Sequence, residues 1–133
     1  MISPKIQDAI NAQINAEFWS AYLYLSMGMH FEAEGHTGIA NWFRIQFKEE
    51  QAHAEIFINY LLSRGGRVEL KAIADVPTTW ESPLAAYTDT LAHEEKVTAL
   101  INNLYALAEA EHDYATRGKL CLLYTSPSPR DRT

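Results

Sequence analysis

An all-α bundle is predicted for this 133-residue chain by three observations. Apolar residues recur at intervals of three and four over long stretches, the period of helices with one buried stripe. Ser3-Pro4 and Ser82-Pro83 open two of these stretches, while Gly35 and Gly65-Gly66 close two. These are the residue types that start and stop helices. One connection is short and one is long, which fixes how three long helices are arranged.

The first helix opens with an N-cap oxygen at Ser3 and a proline at the first helical position. Its stripe is Ile6, Ile10, Ile14, Ala21, Tyr24 and Leu25, and it reaches about Ala33, roughly 45 Å at 1.5 Å per residue. Only Glu34 to Thr37 follow before the next pattern, so short a link that the two helices are antiparallel neighbours. The second stripe, Ile39, Trp42, Phe43, Phe47, Ala54, Phe57 and Leu61, ends at Arg64 before the glycine pair. From Gly65 to Glu81 the period is lost, and Val68 to Val76 reads as extended. Those residues can span about 55 Å, enough to climb the second helix and make helices two and three parallel. The third helix starts at Ser82-Pro83, with Leu84, Tyr87, Leu91, Val97, Ile101, Leu104 and Ala108 as its stripe. A long crossover among short loops is a known connection of four-helix bundles.

Length gives one domain with room for a substantial core. No run of about 18 apolar residues could span a bilayer, and Met1 to Lys5 lead into an amphipathic pattern and not a signal-peptide segment. No membrane association and a cytoplasmic location are expected. A single cysteine, Cys121, allows no intrachain disulfide and agrees with a reducing compartment. The net charge is −6, and without the last fifteen residues it is −8, from 16 acidic and 8 basic residues. That balance disfavours nucleic acid and suits cationic ligands.

The stripes are interrupted by charge. In the block Glu49-Glu50-Gln51-Ala52-His53, Glu50 and His53 fall within the second stripe, where burial without partners is costly. Spaced i, i+3, they share a face and suit two ligands of one metal. Glu17 interrupts the first stripe between Ile14 and Ala21, and Glu94 the third between Leu91 and Val97. Glu50 and Glu94 lie at matching heights, with Glu17 off by about one turn. Singly, Glu17 and Glu94 read as rim residues reaching solvent, and Glu50 with His53 equally as a structural hydrogen-bonded pair. Together they would repel one another, a conflict that a divalent cation removes. Oxygen-rich ligation with one imidazole points to iron or manganese, since structural zinc usually brings cysteine.

Tyr24, two turns from Glu17, could give the site a hydrogen bond or an electron, or be a core tyrosine. Glu49 is a further metal contact or a solvated neighbour. Glu109 and His112 repeat the Glu-x-x-His spacing, but His112 lies about 27 Å along the helix from Glu94 and reads as surface. His30, His36 and His93 have no partner pattern and are expected to be exposed.

With these residues in place the chain resembles the bacterial non-haem ferritins, from the N-terminus to about Gly118. The shared motifs are Asn11 to Glu17, Phe47 to Glu55 with its Glu49-Glu50-x-x-His53, the pair His93-Glu94, and Asp113-Tyr-Ala-Thr116. The resemblance implies a ferritin-like four-helix bundle, of which three long helices are present, enclosing a di-iron ferroxidase centre. In it Glu17 and His53 would bind the first iron, Glu50 would bridge, and Glu94 would help bind the second. Glu49 would serve an accessory iron site, with Tyr24 beside the centre. The implied activity is oxidation of iron(II) by oxygen or peroxide, and the implied assembly a homo-oligomeric cage of twenty-four subunits storing ferric mineral. Bacterioferritin is the nearest sibling, but Ala52 stands where its haem-ligating methionine would be, so no haem is expected. The other readings are a rubrerythrin-like di-iron peroxidase, or a metal-free helical module whose groove accepts a partner helix.

After Thr116 the family continues into a fourth long helix carrying Glu and Gln ligands, whereas this chain has Ser126, Pro127 and Arg130 where those would fall. Two Ser-Pro steps exclude a continuous helix there. The expectation is therefore a domain over 1–118, truncated before the fourth helix, and a tail over 119–133 that is disordered or foreign to the family. Three helices alone would leave an apolar groove where the fourth packs.

Overall fold

The structure is a computed structural model describing residues 1–125, with side chains to Leu123. Its elements are α1 (Pro4–Ala33), α2 (Thr37–Ser63), α3 (Pro83–Ala110) and α4 (Tyr114–Thr125). Among the described residues there is no strand, and no helix is long and apolar enough to cross a membrane.

The capping chemistry acts as the residue types require. Ser3 Oγ accepts from the Ile6 N–H at 3.2 Å and Ser82 Oγ from the Ala85 N–H at 3.1 Å, each satisfying a donor that the first helical turn leaves open. All three long helices end in the same closure, in which the N–H two residues past the C-cap returns to the third-last helical carbonyl. The bonds are His36 N to Phe31 O, Gly66 N to Leu61 O, and Asp113 N to Ala108 O. That closure needs a left-handed residue. Gly35 (φ 84°) and Gly65 (φ 74°) supply it twice, and at the end of α3 His112 takes it at φ 57°. A histidine is no obvious stop signal.

The link over 34–36 folds α2 back along α1. Phe43 stacks against Tyr24 and Phe31 of α1, with ring centroids 6.3 and 5.9 Å away. At Gly28 the helices approach so closely that a Cβ would come 3.2 Å from Arg44 Cγ, which is why glycine sits inside a helix despite its cost. Contacts pair Tyr24 with Glu94 and Met27 with Thr90, so α3 runs antiparallel to α1 and parallel to α2. The crossover that makes this possible is hydrogen-bonded along α1. Gln7 Oε1 accepts from Arg67 N, Asn11 donates to Arg67 O and accepts from Glu69 N, Trp19 donates to Asp75 O, and Ser26 to Pro77 O. Backbone groups that have no helical partner are satisfied in this way.

The core forms two clusters. One gathers Ile6, Ile10 and Ile14 of α1 with Phe57, Leu61, Leu104 and Leu120. The other gathers Tyr24, Met27 and Phe31 with Phe43, Trp80 and Ala86.

Two expectations are corrected. Helix does not stop at Gly118: α4 crosses that boundary to Thr125, and Leu120, 1% exposed, packs in the first cluster. Lys119 to Tyr124 contain neither glycine nor proline, so nothing in them breaks a helix. The Ser-Pro steps that suggested a break, and Ser126, Pro127 and Arg130, lie outside the described residues. On α3, Leu84 and Leu91 are 75% and 61% exposed, while Ala86 and Thr90 face inward. The apolar stripe is broader than the surface that α1 covers, and the uncovered part leaves Leu84 and Leu91 exposed.

The α3–α4 corner is tied to α2 by charge. Arg64 Nη1 shares its two N–H groups among Asp113 Oδ1 at 2.9 Å, Tyr60 Oη at 2.6 Å and Thr116 Oγ1 at 3.3 Å. Asp113 also accepts from the Thr116 N–H at 3.0 Å, capping α4. Burial pushes the Asp113 carboxyl up, but the hydrogen bonds from Arg64 and Thr116 outweigh it and hold the group below its usual value. Arg64→Ala is expected to lower stability at neutral pH by about 1–3 kcal/mol, toward the lower end because the guanidinium is partly solvated. A depressed folded pKa contributes stability above the ordinary carboxylate value, and that contribution is lost as pH falls through the folded one. The gap between wild type and R64A in urea denaturation is therefore expected to shrink below about pH 4; a gap unchanged by acid would refute this account.

Candidate metal centre

Between the two clusters lies a polar layer. Among the described residues, Glu17, Glu50 and His53 each offer a ligand atom within 4.8 Å of the others. His53 Nδ1 is 3.8 Å from Glu17 Oε2 and 3.6 Å from Glu50 Oε2. Both carboxylates are 1% exposed, and the imidazole is half-buried. The one-turn mismatch expected for Glu17 resolves simply: counted from the α1–α2 turn, Glu17 stands opposite His53, one turn beyond Glu50. Gln13, one turn before Glu17, donates from Nε2 to Glu17 Oε1 at 3.0 Å and fixes that carboxylate from its own helix.

Glu94, on α3, meets Tyr24 of α1. It is half-buried, stands outside the trio, and accepts a hydrogen bond from the Tyr24 hydroxyl. Tyr24 is fully buried, so its hydroxyl fixes the orientation of a carboxylate that solvent can still touch. Glu49 is half-buried beside Glu50 on α2 and is likewise outside the trio. Two carboxylates and an imidazole, desolvated together, match the donor preference of a hard to borderline divalent cation. A cation there also offsets the like charges that burial concentrates.

The expectation of an exposed His93 is wrong. Its ring is half-buried, 5.0 Å from Trp19 and edge-on to Tyr24 at 6.2 Å between centroids. Ser20 Oγ gives its one proton to Ala16 O at 2.9 Å, so toward His93 Nε2 it serves as acceptor. His30 is also half-buried, against Phe31 and Trp80. His36 and His112 are exposed as expected. Two residues close to the site escaped the sequence reading. Gln13 is i−4 from Glu17, a spacing that could have revealed it. Gln46, 2% exposed and i−4 from Glu50, carries the same signal.

The pattern of the ferritin-like domain matches residues 7–122. A bacterial non-haem ferritin from Bacteroides fragilis is 45% identical over 117 residues, 88% of this chain and 74% of the relative. One from Staphylococcus aureus is 34% identical over 116 residues, 87% of this chain and 70% of the relative. Among solved structures, an open-pore ferritin from the hyperthermophilic archaeon Archaeoglobus fulgidus superposes with a TM-score of 0.91 at 45% identity. That overlap covers 92% of this chain and 76% of the archaeal one.

The chain belongs to the ferritin family.

The family match extends past Gly118 into the part of α4 that carries Leu120, so the ferritin pattern and the helix agree there. In this ferritin the α1–α2 hairpin supplies the whole trio, while Glu94 of α3 lies outside it, against Tyr24. Glu50→Gln keeps the side chain's shape and removes one of two buried charges. The variant without metal is expected to be at least as stable as wild type, since a like-charge contact is relieved. The rise in Tm that excess cobalt(II) gives the wild type is expected to fall by most of its value, because stabilisation follows ligand affinity. An undiminished rise in differential scanning fluorimetry would remove Glu50 from the site.

Proposed function

We propose that this ferritin oxidises iron(II) at the Glu17–Glu50–His53 layer and deposits the ferric product as a stored mineral. The observation that carries the reading is the trio itself: two almost fully buried carboxylates and an imidazole converging in a core that is otherwise apolar on either side. Iron is here the substrate. On this reading Glu17 and His53 hold the first ion, Glu50 bridges, Glu94 helps hold the second, and Glu49 serves an accessory position. Two iron(II) ions give two electrons to dioxygen, which with two protons becomes hydrogen peroxide; peroxide in turn can accept two more.

The protein's part is orientation and charge. Gln13 holds one carboxylate of α1 in place, and the Tyr24 hydroxyl sets the direction of Glu94. Hard oxygen donors favour the iron(III) product over the iron(II) substrate, so the ligand set itself supports the direction of reaction. A homo-oligomeric cage of twenty-four subunits in the cytoplasm is part of the proposal, since storage needs an enclosed volume that one bundle lacks. The names of the relatives support the family, and the donor chemistry supports the activity.

The test is iron(II) added without oxygen, then mixed with aerated buffer while ferric absorbance is followed. Oxidation faster than in buffer alone is expected, and His53→Ala should reduce it to the buffer rate. Tyr24→Phe, which leaves the ligands but removes the hydroxyl that Glu94 accepts from, is expected to slow it by about ten- to a hundredfold, as loss of a ligand's supporting hydrogen bond usually does. Equal rates for wild type, H53A and buffer would overturn the assignment.

A further inference from the structure

Gln46 is the polar residue of this core that the reading above leaves without a task. It is 2% exposed, and its Nε2 is fully buried with no acceptor among the described residues. A buried amide donor left in that state is costly, and natural cores seldom keep one without a reason. Its position supplies the reason. At about 100° per residue, Gln46 projects from α2 between Glu50 and His53, about 40° from one and about 20° from the other. Along the axis it sits one turn from Glu50, between the trio and Phe43, whose ring stacks on Tyr24. Gln46 thus stands on the Tyr24 side of the trio in height, on the same buried face of α2.

We propose that Gln46 binds the small anionic oxygen ligand of this site, donating its carboxamide N–H to hydroxide or reduced oxygen held beside the metal. The assignment rests on the proposed metal centre and extends it from the cations to the oxidant. A neutral donor suits the task. It stabilises negative charge on oxygen as that charge develops, competes poorly with carboxylates for the cation, and adds no charge to a layer already crowded with it.

Azide, a small anion that reports on such a position, provides the test on the cobalt(II)-loaded protein. Cobalt affinity, azide affinity from the visible spectrum, and apo stability are measured for wild type and Gln46→Leu. Leucine has similar bulk and no donor. The expected result is unchanged cobalt affinity, azide binding weakened about ten- to a hundredfold, as for loss of a hydrogen bond to a charged group, and an apo Tm no lower than wild type. Equal azide affinity in the two proteins, with cobalt bound to both, would overturn the role of Gln46 and leave the metal centre standing. A marked fall in apo Tm with azide affinity unchanged would show instead a donor satisfied by structural water, and would also overturn it. Failure of the wild type to bind cobalt would bring down the metal centre and this inference together.

Discussion

Glu17 and Glu50 must share one desolvated layer with His53, and the rest of the bundle is arranged around that constraint. Desolvating two carboxylates side by side opposes folding, so the apolar packing has to be secure on both sides of them. It is divided accordingly. Ile6, Ile10, Ile14, Phe57 and Leu61 close the core toward the open end of the hairpin, while Tyr24, Phe31 and Phe43 close it toward the α1–α2 turn. The register of that hairpin decides whether the polar groups meet. With α1 ending at Ala33 and α2 starting at Thr37 across a link that turns at Gly35, Glu17 stands opposite His53. A one-residue change in the link would rotate α2 by about 100° and send the imidazole elsewhere.

The connections serve the same end. The crossover has no secondary structure of its own, yet side chains of α1 from Gln7 to Ser26 hold it. It therefore delivers α3 to the bundle along the helix that α3 must face, with Glu94 at the height of Tyr24. At the other end, Arg64 ties the end of α2 to the α3–α4 corner, so that Leu120 reaches the lower cluster. These are polar contacts used for placement. They act on few residues, at the ends of elements, where backbone groups would otherwise lack partners.

Much of this was legible in the sequence because the signals are local. Ser3-Pro4, Ser82-Pro83, Gly35 and Gly65 act on their own turn of chain, and the helix bounds follow from them. Glu17, Glu50 and His53 stood out because each breaks an apolar period. What stayed hidden depends on neighbours that sequence does not name. His93 looks exposed until Trp19, Ser20 and Tyr24 are brought against it across the α1–α3 contact. Leu84 and Leu91 look buried until the surface that would cover them has to be identified. The anchoring of the crossover to α1 depends on the partners that Asn11 and Trp19 offer its backbone, a fact about side chains with no periodic trace. The stop at His112 was invisible because a left-handed histidine is rare where glycine is common.

The two halves of the layer are unequal, and that inequality bears on how the proposed oxidation would proceed. On the α1–α2 side the ligands are fixed before any ion arrives: Glu17 is held by Gln13, and Glu50 and His53 share one face of a single helix. On the α3 side Glu94 is half-buried, its flank carries exposed leucines, and it accepts a hydrogen bond from the Tyr24 hydroxyl. Preorganised ligands lose less freedom on binding and so hold a cation more tightly. The first iron would then settle among Glu17, Glu50 and His53, and the second would wait on Glu94. Because a two-electron reduction of oxygen draws one electron from each iron, the occupancy of the second position would limit the proposed reaction. On that reading Tyr24 would act before any electron moves, by holding ready a carboxylate that the hairpin cannot supply.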